Sequence, residues 1–552
     1  MSDSGFQPGP VRRPVGLETE FGILRPGDPY ANPVALSSQV VEAYCTAADV
    51  PAVRWDYEGE DPLADLRGGR LQRSVAHPSQ LTDDPTRPAP SGDAPPPAPW
   101  GSRARPSVAE AALPHAATAV LVNGARLYVD HAHPEYSSPE VLTPRDAVVW
   151  DRAGELIARR AMIALTEGVG GAPSGEVVLY KNNVDGKGAT YGSHENYLVR
   201  RDLAFSDLAP ALIPFLVTRP VIAGAGRVGI GQRSQRPGFQ MSQRADYVES
   251  DVGLQTTFNR PIVNTRDEPH ADESKYRRLH VIPADANLSH YSNLLKFGTA
   301  ALVMNLIESH SEQTPVLPGV RLSDPVAAMH AVSHDVSLSV QLPLAPSSAT
   351  LPNPVSTSGY ASALQIQRAY YEASRAHEES NPAGVDAETA QILDLWGEVL
   401  DALETNPLSL ADRLDWVAKY ALVRGYVAQG VDYANPKLKA LDLQYADIDP
   451  SKSLYHRLVA RGRMRTLFSA EQVERATTEP PRETRAFLRG TLMARWPEEI
   501  LGINWDTVSC RGRYSKDLTR FTMMEPTRYG AAEVEPLLDE VNHSDELLNR
   551  LR

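Results

Sequence analysis

Cysteine is nearly absent. The 552 residues contain two, Cys45 and Cys510, far apart in sequence. That excludes a disulfide framework and a Cys-rich zinc site, and makes a reducing cytoplasm the expected location. Long apolar runs are also missing. No window approaches the roughly 18 to 20 apolar residues of a membrane span, so no membrane association is expected. The start MSDSGFQPGPVRRP has no apolar core of a signal peptide. An excess of basic charge is missing too. The formal net charge is -14, which argues against a general nucleic-acid binder but leaves room for a local basic groove. No internal repeat recurs at a fixed period. What remains, 42% hydrophobic and 22% charged residues, is the composition of a globular protein.

Residues 11–23 (VRRPVGLETEFGI) read as a strand, and Ala35 to Ala48 as a short amphipathic helix. Arg54 to Asp84 is charged and without sustained period. It runs into a segment with eight prolines in the 22 residues Pro85 to Pro106. That composition suits an extended linker, so a mobile insertion is expected over about 51–116. Strands are predicted at 119–122, 126–130, 176–181, 194–199 and 276–282, with a helix over Asp146 to Leu165. From about 291 onward helices dominate, one capped by Asp386 and another expected to start at Ser409. The proline pair in TTEPPRET ends this run, which divides the chain into 1–476 and a small C-terminal domain, 477–552.

The chemistry lies in an alternation. In NGARLYVDHAHPEYSSPE, Asn123-Gly124 signals a hairpin. In the strand that follows, Arg126, Tyr128 and Asp130 share one face, opposite Leu127 and Val129. The same two-faced pattern recurs: Glu18 and Glu20 in GLETEFG, His194 and Asn196 in SHENY, Arg278 and His280 in YRRLHVI. Each motif alone is more often a solvated or structural face; their joint occurrence shifts the reading. Four such strands in one sheet would pool carboxylates, histidines, arginines and a phenol on one surface. Adjacent carboxylates repel unless a cation lies between them. Glu and His ligands without Cys suit Mg²⁺ or Mn²⁺, and arginines suit phosphate oxygens. A nucleotide–Mg²⁺ complex lying on a sheet accounts for all of these. Two decoys fall away. GAGRVG, 224–229, is not followed by the helix that a dinucleotide site requires. His131-x-His133 could be a zinc pair, but Pro134 points to a turn.

GLETEFG, NGARLYVDHAHPEYSSPE, YGSHENYL, VNTRDEPHADESKYRRLHVI, DRLDWVAKY and LQYADIDPSKSLYHRL together resemble the Pup ligase/deamidase family. Its members act on Pup, the small disordered protein tag of bacterial proteasome systems. The resemblance implies an α+β fold like that of glutamine synthetase, a curved antiparallel sheet backed by helices with a small C-terminal domain. The short Asp-His-Ala-His-Pro-Glu-Tyr and the stretch RWDYEGEDPLADLRGGRL are similar to the deamidase branch. It implies hydrolysis of the side-chain amide of the Pup C-terminal Gln and of the isopeptide bond between Pup and substrate lysines. Pup and pupylated proteins would be the partners, with ATP and Mg²⁺ as bound cofactors. The alternative on the same fold is the Pup–protein ligase, which forms that bond with ATP hydrolysis. By motif, the resemblance makes Asp130 the catalytic carboxylate, as nucleophile or as general base. It makes Glu18, Tyr128, Glu135, His194 and His280 metal-site positions, with Glu20 beside them, and Arg126, Ser138, Asn196 and Arg278 nucleotide-site positions. An acidic, disordered partner would need a basic path on an acidic protein. Arg227, Arg233, Arg236 and Arg244 are the expected one.

Overall fold

Eight strands pair into one sheet because their side chains alternate between a buried apolar face and a polar one. They are β1 (Val15–Glu20), β2 (Thr118–Val120), β3 (Arg126–Asp130), β4 (His133–Ser137), β5 (Ser193–Arg200), β6 (Val248–Gly253), β7 (Arg260–Asn264) and β8 (Tyr276–Val281). The computed structural model describes residues 11–51, 53–57, 60–72, 76, 117–171, 175–185, 187–310, 316–380, 385–512 and 518–552. The sheet order is β6-β7-β8-β5-β1-β4-β3-β2. All pairings are antiparallel except β6 with β7, which is parallel and carries a register shift between Val248 and Ser250. The expected sheet is therefore present but mixed, and helices back it.

The hairpin between β2 and β3 turns at Asn123-Gly124, where Gly124 has φ 80°. The Asn123 side chain accepts from Ala125 N at 3.1 Å and donates to Ala476 O at 2.9 Å. On the apolar face, Val15, Leu17, Tyr197, Val199, Leu279 and Val281 join a large core with the helices Phe205–Thr218, His290–Ser309 and Ala387–Thr405. Leu127, Val129 and Tyr136 join a second core against the helices Pro33–Ala47 and Pro144–Thr166. Helix Pro144–Thr166 starts two residues before the predicted Asp146 because the Thr143 side chain accepts from Asp146 N and Pro144 sets the first turn. It packs tightly on the sheet: a Cβ on Gly154 would lie 2.2 Å from the Tyr136 ring.

A third core belongs to the C-terminal unit, the helix Ala486–Arg495, three strands between Ile500 and Thr522, and two terminal helices. It also takes in Val53, Trp55 and Val120. Here the structure differs from the expectation of a mobile insertion. Trp55 is buried and pairs in parallel with Ile503, and Leu63 and Leu66 are buried as well. The stretch has no period because it is a strap, with single apolar anchors spaced by turns. Pro85 to Pro106 lies outside the described residues. The helix expected from Ser409 instead runs over Asp415–Val427, after a short 3₁₀ turn at Pro407–Leu410. Among the described residues, no helix is long and apolar enough to cross a membrane.

Candidate functional site

Register stacks the polar residues into rows across the sheet. Glu18 lies opposite Ser137 on β4 and His194 on β5. Glu20 lies opposite Glu135, which in turn faces Tyr128. Asn196 lies opposite Gly16 and His280. Residues directly opposite each other point to the same side, so side chains from five strands meet on one face.

They form two adjoining groups. In the first, one oxygen of Glu18 lies 3.1 Å from His194 Nδ1 and 3.5 Å from His280 Nε2. Its other oxygen accepts from Asn196 Nδ2 at 3.1 Å. Burial resists the Glu18 charge, yet the two histidines hold its carboxyl well below the usual range. His280 is pushed down to about 3, chiefly by burial, so it is neutral near pH 7. Among the described residues its Nδ1 has no hydrogen-bond partner. A neutral, buried, unpartnered imidazole beside an ionised carboxylate is a donor set suited to a cation.

The second group gathers one oxygen each from Glu20, Asp130 and Glu135 within 4.8 Å of one another. Burial, and then the charges of Asp130, Glu18 and Glu20, raise the Glu135 carboxyl well above its usual range. The Tyr128 hydroxyl donates to Glu135 and is itself raised by burial and by Glu135. Glu20 accepts from Gly192 N at 2.7 Å and lies 3.1 Å from His133 Nδ1. Asp130 behaves differently from Glu135. Burial raises it, but the charge and hydrogen bond of His131, at 2.8 Å, bring its carboxyl below the ordinary value. All six residues expected at a metal site therefore lie together, beside the one expected to be catalytic. The histidine pair is split: His133 faces Glu20 and His131 faces Asp130.

Beside the first group lies a solvent-open cleft with about 90 Å³ of space for water-sized groups. Ser138, Asn196 and Arg278, three of the four expected nucleotide positions, line it. Arg278 donates to Asn196 Oδ1 at 3.2 Å and lies 3.5 Å from Glu268. Arg126 does not line the cleft. It is held between Trp55 and Tyr128, 4.1 and 3.9 Å from the ring centres, and donates to the Tyr57 hydroxyl at 3.0 Å. The cleft's other wall went unread from sequence: Glu140, His270, Arg485, Trp505 and Pro526. Glu140 accepts from Arg485 Nε at 2.7 Å and from Arg489. The quoted SSPE contains Glu140, but its arginine partners lie some 350 residues on and no local spacing marks them. The expected basic path is corrected. Arg227 and Arg244 are fully buried, donating to Gln232 O and to Thr190, Tyr191 O and Ile282 O. Arg233 and Arg236 are exposed.

A carboxylate–histidine face beside an arginine-bearing cleft is the layout of a site for a cation-bound anion. Residues 13–509 match the Pup-ligase protein family model, and the chain belongs to that family. Over 98% of its length it is 44% identical to the Pup deamidase/depupylase of Mycobacterium tuberculosis, of which it covers 99%, and to the depupylase of Acidothermus cellulolyticus, also 99% covered. It is 39% identical to the Pup–protein ligase of Corynebacterium jeikeium over 71% of this chain and 83% of that one. The solved structure of Pup with its ligase PafA superposes with a TM-score of 0.72 at 28% identity, covering 98% of this chain and 92% of that chain. PafA in complex with ADP superposes at 0.67 with 33% identity, covering 79% and 89%.

Proposed function

We propose that this chain is a Pup deamidase and depupylase, which hydrolyses the C-terminal Gln amide of Pup and the isopeptide bond between Pup and substrate lysines. The observation that carries this reading is one of extent. In sequence, the deamidase/depupylase relatives match 98% of the chain at 44% identity, whereas the ligase relatives match 67% to 71% of it at 39% to 42%, although the ligase fold superposes on 98%. A nucleotide bound in the cleft against Ser138, Asn196 and Arg278 agrees with the ADP in the PafA structure.

Glu18, His194 and His280 would hold one Mg²⁺, and Glu20 with Glu135, hydrogen-bonded to Tyr128, a second. When bound, such ions and the nucleotide phosphates supply positive charge and oriented oxygens beside the scissile amide. The chain's own residues do the rest. His280 stays neutral and keeps its nitrogen lone pair. Asn196 ties Glu18 to Arg278, which fixes the spacing between the two ends of the site. Asp130 presents an ionised carboxylate at the end of β3, able to attack the amide carbon or to take a proton from water. By either route one water is consumed and ammonia, or the substrate lysine's ε-amine, is released. Mass spectrometry of Pup-Gln and of a Pup–protein conjugate, incubated with the enzyme, ATP and Mg²⁺, tests the reading. Conversion to Pup-Glu and free protein is expected. Formation of new conjugates from Pup-Glu with matching ATP consumption would make the chain a ligase instead.

A further inference from the structure

β3 and β4 are joined by a two-residue turn, His131-Ala132, closed by the pair Asp130 and His133. The first of the two central residues, His131, has φ 52°, while Ala132 is not in the positive region. A hairpin with positive φ at its first central position alone prefers glycine there. Histidine tolerates that region better than most side chains, yet glycine would occupy it without strain. The turn therefore carries a side chain where the backbone would favour none.

That side chain points at the site. His131 Nδ1 lies 2.8 Å from Asp130 Oδ2, with the imidazole 40% and the carboxylate 29% exposed. Among the described residues it is the one side chain that hydrogen-bonds Asp130. A half-exposed His–Asp contact on an ordinary surface contributes little to stability. This one fixes an oxygen of the Asp130 carboxylate, a group that also places an oxygen within 4.8 Å of Glu20 and Glu135. Strain kept at a turn beside a reacting group is the pattern of a functional constraint.

We infer that His131 is a positioning residue: through Nδ1–H it holds the Asp130 carboxylate in one orientation for amide hydrolysis. This rests on the proposed function of the same site. A residue that served only to form the hairpin would behave in the opposite way from one that orients Asp130, because glycine suits the turn better.

The test compares His131→Gly, His131→Asn and the double variant Asp130→Asn/His131→Gly in the intact enzyme. Depupylation kinetics and thermal unfolding are both measured. His131→Gly is expected to lower kcat at least tenfold, with KM for the conjugate within twofold and the unfolding midpoint unchanged or higher. His131→Asn should recover most of kcat, since its Nδ2–H sits where Nδ1–H does and Asn accepts positive φ. The double variant should lose no more than Asp130→Asn alone, because a residue acting through Asp130 has nothing left to act on. A His131→Gly enzyme with kcat within twofold of the parent overturns the inference. So does a parallel fall in kcat and unfolding midpoint, or a double variant well below Asp130→Asn. Failure of the parent to cleave the conjugate would instead refute the hydrolase reading.

Discussion

Replacing Glu140 by Gln should loosen the C-terminal unit from the sheet and weaken nucleotide binding together. Glu140 follows β4 and lines the cleft, yet its charge is held by two arginines of the C-terminal unit, Arg485 at 2.7 Å and Arg489. Arg485 also donates to Met523 O at 2.7 Å, and Arg489 to Gly124 O at 2.9 Å, so the three residues clamp two bodies of structure. Burial opposes the charge, but Arg489 and Arg485 outweigh it and bring the carboxyl from 4.5 to about 2. That fall corresponds to about 3 kcal/mol, close to the roughly 3 to 5 kcal/mol lost when one partner of a buried ion pair is removed. The sign follows from the depressed value. The contribution is complete above pH about 4.5 and fades as pH falls toward about 2. The assay is urea unfolding followed by Trp505 and Trp55 fluorescence, with nucleotide titration by calorimetry. Glu140→Gln should unfold the C-terminal unit earlier at pH 7 and bind nucleotide at least tenfold more weakly. The parent–variant gap should narrow as pH drops below about 4.5. Equal stability at pH 7, or a stability loss with unchanged nucleotide affinity, would refute the clamp.

Glu18→Ala and His280→Ala should each raise the Mg²⁺ concentration needed for half-maximal activity several-fold; unchanged midpoints in both would count against the first cation group. Trp55→Ala removes a buried indole that covers Arg126 and meets Trp505 at 5.0 Å, at a cost of about 3 to 5 kcal/mol. Trypsin should then cut faster after Arg54, Arg67 and Arg70, and bound nucleotide should slow it less than in the parent. Arg233→Glu with Arg236→Glu, both exposed, should raise KM for Pup and flatten its salt dependence with nucleotide affinity unchanged; identical KM values at low salt would place the Pup path elsewhere.

The polar rows were legible because a strand's period is two, and any register that buries Leu17, Tyr197 and Leu279 must bring Glu18, His194 and His280 to the other side. The strands at 126–130, 193–200 and 276–281 followed from the same periodicity, as did the helix capped by Asp386, which accepts from Glu388 N and Thr389 N, but His133–Ser137, Val248–Gly253 and Arg260–Asn264 were not read as strands. What stayed hidden depends on contacts with no local spacing. Trp55 reads as one aromatic in a charged stretch until Trp505 and Arg126 close on it. Arg227 and Arg244 read as solvent-facing cations, yet both are buried, Arg227 donating to Gln232 O and Arg244 to Thr190, Tyr191 O and Ile282 O. Ser409 has the chemistry of a cap, but Pro407 makes a 3₁₀ turn there and the helix begins at Asp415. The parallel pairing of β6 with β7 could not be read from alternation, which does not encode strand direction.

The strap at Trp55 also sets a clock. Its bridge partner, Ile503, is 448 residues further along the chain. At ribosomal rates of roughly 5 to 20 residues per second, the nascent chain carries an uncovered Trp55 for about 20 to 90 seconds before Ile503 exists. The main sheet, complete at Val281, has all its strands much earlier. Synthesis thus completes the strands of the main sheet while the strap's partner Ile503 and the cleft residues Arg485, Trp505 and Pro526 have yet to emerge. During that interval the Trp55 indole lacks its cover, and the cleft lacks the wall that Arg485, Trp505 and Pro526 supply.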